Sequence, residues 1–362
     1  MAIIMPLLLQ KPSKNSKCRD HVSFLEKRLK LWKTGRLQEL LEEGRSIQER
    51  FTKEKGDGDN GQSIQKDHKR FISLMEKGKI GRALRCIGSQ RTGVLDVTED
   101  VMNELIEKHP EAQDIKEGVY QGPLKRKPVE EALFQSLDSD AIHKATKKVD
   151  GAAGPSGADS ELWQQLVCSK EFKKKPAGLC IAIAETARKL NTKTVKTDSL
   201  RAYVAARLLP LDKLPGVRPI GVGEVIRRII SSATVSMLKP ELIEKTAPLQ
   251  TCAGIAGGIE ASIHAVRQMW EDPKTEGILL IDANNAFNAM NRKTALKNLD
   301  YTCPELAIYL RNIYGREAEL FVVNSDKTVY SKEGTTQGGP LSMAFYAVST
   351  KATLDKTPSG EQ

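Results

Sequence analysis

The sequence has 362 residues, of which 40% are hydrophobic, enough to bury a core and form two or three domains. Collagen-like, mucin-like and fully disordered classes are therefore excluded. Lysine and arginine number 56 against 46 acidic residues, a net charge of +10, which favours a polyanionic partner. The excess is largest in residues 151–250, with 16 basic and 9 acidic side chains.

The cysteines and the apolar runs exclude further classes. None of the six cysteines forms a C-x-x-C pair, and the five histidines do not cluster near them, which argues against a zinc site or a disulfide framework. The apolar N-terminal stretch lacks a preceding positive region and contains Pro6. No run approaches the roughly 18–20 apolar residues of a membrane span. The sequence predicts a soluble intracellular protein with no membrane partner, in the nucleus or the cytoplasm.

The first 149 residues read as mostly helical. Helical spacing covers residues 21–51, with Gly35 a possible break, and defines an N-terminal helical segment over 1–54. Residues 55–62 are a polar, glycine-rich linker. A second helical region over 63–149 has helices at about 71–84, 101–108 and 129–148. Its basic faces are either ordinary solvated surface or a surface that binds nucleic acid.

Small residues dominate the stretch Asp-Gly-Ala-Ala-Gly-Pro-Ser-Gly at 150–157. Such a loop allows another backbone or a phosphate chain to approach closely, although a flexible linker has the same composition. Asp159 or Ser160 can cap a helix that runs through Trp163 and Leu166.

A β-hairpin is predicted where two apolar runs, Leu208–Leu211 and Val217–Val222, flank a Pro-Gly turn. Lys213 precedes the turn and Arg218 follows it, so both cations could project toward triphosphate oxygens. An ordinary surface hairpin would also carry such charges.

Arg227 and Arg228 begin a helix predicted over 225–238. Cations at a helix start oppose the helix dipole, which suggests that another role retains them. Together with Arg218 they are candidates for phosphate contacts with RNA or DNA.

Four consecutive apolar residues, Ile278 to Ile281, predict a buried strand that ends at Asp282. α/β enzymes place carboxylates that hold metal or substrate at such strand ends. Phe287 follows on a turn, where it could lie beside a sugar, and a helix is expected around 292–299. A generic doubly wound fold would also give a strand-end aspartate.

A further strand pair is predicted at 320–323 and 328–330, followed by Gln337, Gly338 and a helix. The glutamine and the glycines can place a polar side chain and bare backbone against a flat ligand. The alternative is a Gly-Gly-Pro turn that only starts the helix.

The order of these motifs resembles the fingers and palm of reverse transcriptases, especially those of retrotransposons and group II introns. The residues that carry the resemblance are the hairpin with Arg218-Pro-Ile, the strand with Asp282-x4-Phe287, and Thr336-Gln-Gly-Gly-Pro-Leu341 before a helix. It implies an α+β fold: an N-terminal helical region, a fingers-like region at 150–250 and an incomplete palm at 251–362. It also implies an RNA template, a DNA primer and dNTP as partners, and possible association with an endonuclease or other retroelement protein.

The resemblance also implies roles for single residues. Asp282 matches the first metal-binding carboxylate, which with two further aspartates would hold two Mg²⁺ ions. Phe287 matches the bulky residue that excludes a 2′-hydroxyl. The implied triphosphate contacts are Arg218 and Lys213, the incoming nucleotide lies against Gln337 and Gly338, and the template against Gly154 to Gly157.

One required motif is absent. No Asp-Asp pair occurs in the sequence, and only 25 of the 362 residues follow Gln337. A single carboxylate cannot hold two metal ions against the repulsion of a triphosphate, so we expect negligible polymerase activity from this chain alone. Two hypotheses remain: a truncated, inactive reverse transcriptase, or a non-catalytic nucleic-acid-binding protein derived from one. An α/β protein with coincidental motifs is the third alternative.

Overall fold

The computed structural model describes residues 4–10, 12–13, 16, 18–56, 68, 71–76, 78, 80, 83, 93–115, 128–168, 176–213, 215–247, 250–251 and 253–354. Helices and one sheet make the fold α+β, as predicted. The chain divides into two compact units, Met1–Leu95 with Leu211–Gly216, and Asp96–Pro210 with Val217–Gln362. No described helix combines the length and hydropathy that a bilayer span requires.

The first unit contains three labelled helices, α1 (Ile4–Leu9), α2 (Cys18–Lys33) and α3 (Leu37–Gly56). The predicted break is confirmed, because Gly35 adopts a φ of +74° between α2 and α3. α3 extends through Gly56, so it includes the start of the predicted linker, and residues 57–62 lie outside the described part. Of the predicted helix at 71–84, residues 71–76, 80 and 83 are helical and the others are not all described.

The second unit contains most of the elements. Its helices and strands, in chain order, are α4 (Glu99–Glu107), a 3₁₀ helix (Glu131–Ser136), α5 (Ser139–Lys148), α6 (Ser160–Cys168), α7 (Pro176–Thr192), α8 (Thr197–Val204), β1 (Ala206–Asp212), β2 (Val217–Gly223), α9 (Val225–Met237), α10 (Lys239–Thr246), α11 (Gly258–Trp270), α12 (Ala286–Ala289), α13 (Arg292–Thr302), α14 (Pro304–Tyr314), β3 (Ala318–Val322), β4 (Thr328–Ser331) and α15 (Ser342–Leu354).

Capping residues explain two of these helix starts. Asp138 accepts a hydrogen bond from the Ala141 N–H at 2.8 Å, so the helix predicted over 129–148 is instead a 3₁₀ helix followed by α5. The predicted cap of α6 is confirmed, because Asp159 accepts from the Leu162 N–H at 2.8 Å.

The sheet has the strand order β2-β1-β3-β4. β1 runs parallel to β3, with Ala206 opposite Leu320, and β3 runs antiparallel to β4, with Leu320 opposite Val329. Both predicted strand pairs are therefore confirmed. The core lies around α14, which packs on α7, α8 and α13 and buries Tyr309 and Leu310 completely.

The predicted buried strand at Ile278–Ile281 is wrong. The segment has no regular secondary structure, and Leu279, Leu280 and Ile281 are 84–85% exposed. A strand must pair its backbone with a neighbouring strand, and the sheet in the described part of the chain consists of β1 to β4 without this segment.

Candidate functional site

One pocket of about 170 Å³ lies where several predicted motifs meet. It is lined by the glycine-rich loop at Gly151, by β2 at Gly221, by Arg227 and Arg228 of α9, and by Gly338. Clefts that hold whole drug-sized ligands are about 300–1,000 Å³, so this pocket suits a group such as one phosphate. None of the lining residues is acidic, as far as the described chain goes.

The glycine-rich loop is folded against the end of β2. A Cβ atom at Gly154 would lie 2.8 Å from the backbone N of Glu224, so only glycine permits this approach. Glu224 accepts hydrogen bonds from the N–H of Ser156 at 2.7 Å and from its hydroxyl at 2.6 Å. These contacts fix the loop as one wall of the pocket. Gly157 forms a turn at the end of the loop, with a φ of +74°.

Arg228, on α9, forms hydrogen bonds with the backbone of the same loop. Its guanidinium donates to the carbonyl oxygens of Asp150, at 2.6 Å, and of Ala152. Burial lowers the pKa of Arg228, against the opposing effect of the Glu224 and Asp150 carboxylates. Its buried Nε–H has no hydrogen-bond partner within the described part of the chain. Arg228 therefore brings a positive charge to the pocket wall.

Arg227 is 6% exposed, and its guanidinium faces the interior. It donates to the Val204 carbonyl at 2.9 Å and to the Tyr314 hydroxyl at 3.4 Å. These hydrogen bonds explain why Arg227 lies at the start of α9, although a cation there opposes the helix dipole. In this conformation Arg227 supplies charge at the pocket wall, and both of its terminal nitrogens donate to groups within the chain.

Sequence reasoning missed Arg292, the most fully engaged cation of the region. It is 4% exposed, and burial lowers its pKa to about 10. Its guanidinium donates to the carbonyl oxygens of Ser331, Glu333, Gly334 and Arg316 at 2.6–3.1 Å, and to the Ser331 hydroxyl at 2.8 Å. It thus fixes the segment that leads into the Gln337 turn. A single arginine at a helix start carries no sequence signal for such burial.

Phe287 lies next to the same segment. Its carbonyl accepts from the Thr335 N–H at 2.6 Å, and its ring centroid is 5.1 Å from that of Tyr346. A Cβ atom at Gly334 would lie 2.0 Å from the Phe287 carbonyl oxygen, so the two loops meet backbone to backbone. Gln337 is half-buried in the turn beside Gly338. The structure therefore brings Phe287 close to the segment that leads into this turn.

Seven of the ten predicted site residues, among them Asp282, Lys213 and Arg218, are not among the residues that line the pocket. Asp282 is exposed in the irregular segment, Lys213 is exposed after β1, and Arg218 is exposed on β2. The described residues include no group of three His, Cys, Asp or Glu side chains that could hold a metal ion. A lone exposed carboxylate does not fit the Mg²⁺ pair that the resemblance implies.

Comparison with models of protein families and with curated proteins finds no match for this chain.

Proposed function

We propose that this chain binds RNA or DNA through phosphate groups, as a protein of reverse-transcriptase type that does not synthesise DNA on its own. The pocket carries the proposal, because the glycine-rich loop, β2 with α9, and the Gln337–Gly338 turn all contribute to it. Two of these, the hairpin strand β2 and the Gln337–Gly338 turn, belong to the motifs on which the resemblance to the fingers and palm rests, and the glycine-rich loop is the segment that the resemblance places at the template.

Charge at the pocket supports a phosphate ligand. Arg227 and Arg228 line it, and the guanidinium groups of Arg227 and Arg292 lie 5.6 and 5.4 Å from the ring centre of Tyr314, another lining residue. Arg227 is buried, and a buried cation attracts an anion strongly because the surrounding dielectric is low, whereas Glu224 and Asp150 offset part of the charge of Arg228. Arg218 is exposed on β2, the strand whose Ile220 and Gly221 line the pocket.

Binding is tested by filter retention of a single-stranded RNA by the full chain. Arg218→Ala should lower the affinity roughly threefold to tenfold, because one phosphate contact is lost. Lys189→Ala is the matched control, since Lys189 is an exposed cation on α7. The binding proposal fails if the full chain does not retain RNA, or if both substitutions have the same effect.

The second half of the proposal concerns catalysis. Asp282 is exposed, and the sequence contains no Asp-Asp pair with which it could share two metal ions. Primer extension with Mg²⁺ or Mn²⁺ should give no product from this chain or from Asp282→Ala. Synthesis that is lost only in Asp282→Ala would overturn this half and leave the binding half intact.

A further inference from the structure

Helix α11 carries an apolar stripe that the described part of the chain leaves exposed. Ile259, Ile263, Val266 and Trp270 lie on one side of the helix and are 56%, 62%, 43% and 58% exposed. Contiguous apolar surface of this kind marks an interaction site in soluble proteins. Apart from Gly258, no residue of α11 is buried, so tertiary packing does little to stabilise the helix.

The spacing of the stripe indicates what packs on it. The four residues follow each other at intervals of 4, 3 and 4 positions, which is the a/d repeat of helices that pair side by side. A helix of this length is marginal alone in water, and a second helix along the stripe would stabilise it.

We propose that the partner is α11 of a second copy of this chain, packed antiparallel about a two-fold axis. In that register Ile263 of each copy meets Val266 of the other, and Ile259 meets Trp270. Glu260 and Arg267 flank the stripe on one side, so each Glu260 lies opposite Arg267 of the other copy, twice in the dimer. A parallel pair would not bring these opposite charges together.

Arg267 loses little when it leaves its present partner for Glu260 of the other copy. In the single chain Arg267 reaches Glu271 of its own helix at 3.4 Å, and these side chains are 76% and 67% exposed. Such an exposed ion pair contributes little to stability, so Arg267 can turn to Glu260 of the other copy.

The irregular segment after α11 has a sequence that fits the same two-fold axis. Its sequence Ile278-Leu-Leu-Ile281 reads identically in both directions, so antiparallel pairing with a second copy would place Ile278 opposite Ile281 and Leu279 opposite Leu280. The stripe and this segment together present eight large apolar side chains that are 43–85% exposed.

The test is the mass of the full chain by sedimentation equilibrium, over concentrations from about 1 to 100 µM. We expect a reversible change from one copy to two. Glu260→Arg and Arg267→Glu should each raise the dissociation constant about tenfold, because each creates two like-charge contacts. The double variant should return the constant to near its original value. Gln268→Arg, on the opposite side of α11, is the control and should leave the constant unchanged.

Four outcomes would overturn the proposal: one copy at every concentration, masses above two copies, single charge reversals with no effect, or a double variant that stays as weak as the single ones. Circular dichroism of each variant shows whether its fold is retained, which we expect because Glu260 and Arg267 are exposed.

Discussion

The guanidinium carbon of Arg292 lies 5.4 Å from the centre of the Tyr314 ring, and both residues are buried. The Tyr314 ring also stacks on the ring of Phe345, with centroids 5.4 Å apart, and the Tyr314 hydroxyl accepts a hydrogen bond from Arg227. Arg292 thereby joins the end of α14 to the segment that precedes Gly338. This pair supports the pocket wall, which Tyr314 helps to line.

Removal of the Arg292 guanidinium should be costly. Arg292→Met removes the guanidinium donor from four carbonyl oxygens, three in buried hydrogen bonds and one in a part-buried bond, and we expect the free energy of unfolding to fall by about 3–5 kcal/mol. The measurement is urea denaturation. Lys293→Met is the control at the next position, where the side chain is 53% exposed, and should change stability by less than about 0.5 kcal/mol. Equal effects would contradict the structural role of Arg292.

The close approach at Gly334 gives a second stability test. Gly334→Ala places a Cβ atom 2.0 Å from the Phe287 carbonyl oxygen at a φ of +59°. We expect a loss of more than about 2 kcal/mol, from steric overlap added to the left-handed backbone. Gly157→Ala has a φ of +74° but nothing within 4 Å of the new atom, so only the backbone cost of about 1–2 kcal/mol applies. Urea denaturation that ranks the two variants in the reverse order would refute the close approach.

Glu104 makes the start of β2 sensitive to acid. Its carboxylate accepts from the Lys108 ammonium at 2.6 Å and from the Val217 N–H at 2.7 Å. These two hydrogen bonds lower the pKa of Glu104 below its ordinary 4.5. Because the folded-state pKa is the lower one, the stabilisation is present above pH 4.5 and is lost as pH falls through the folded-state value.

Glu104→Gln should therefore lower stability at neutral pH, and its difference from the unaltered chain should shrink as pH falls below 4.5. Urea denaturation at several pH values measures the difference. Glu107→Gln changes an exposed glutamate of the same helix and serves as the control. A Glu104→Gln difference that is constant over the whole pH range would show that the pairing does not form.

The local elements were predictable because they rest on local signals. The Pro-Gly turn gave the β1–β2 hairpin, Asp159 gave the start of α6, and Gly35 gave the break between α2 and α3. The exposure of Ile278–Ile281 was not predictable, because a run of apolar residues indicates that a strand could be buried but does not show which element would cover it. The same limit applies to Arg292, whose partners come from segments about 24 to 42 positions away.

The central claim is that the basic surface around the pocket binds nucleic-acid phosphates, and the salt dependence of RNA affinity tests it most directly. We expect the logarithm of the association constant to fall linearly with the logarithm of salt concentration, and the slope to lessen by about 0.7 in Arg218→Ala because one phosphate contact is lost. An affinity that barely changes with salt, or a slope that is the same in Arg218→Ala, would contradict it.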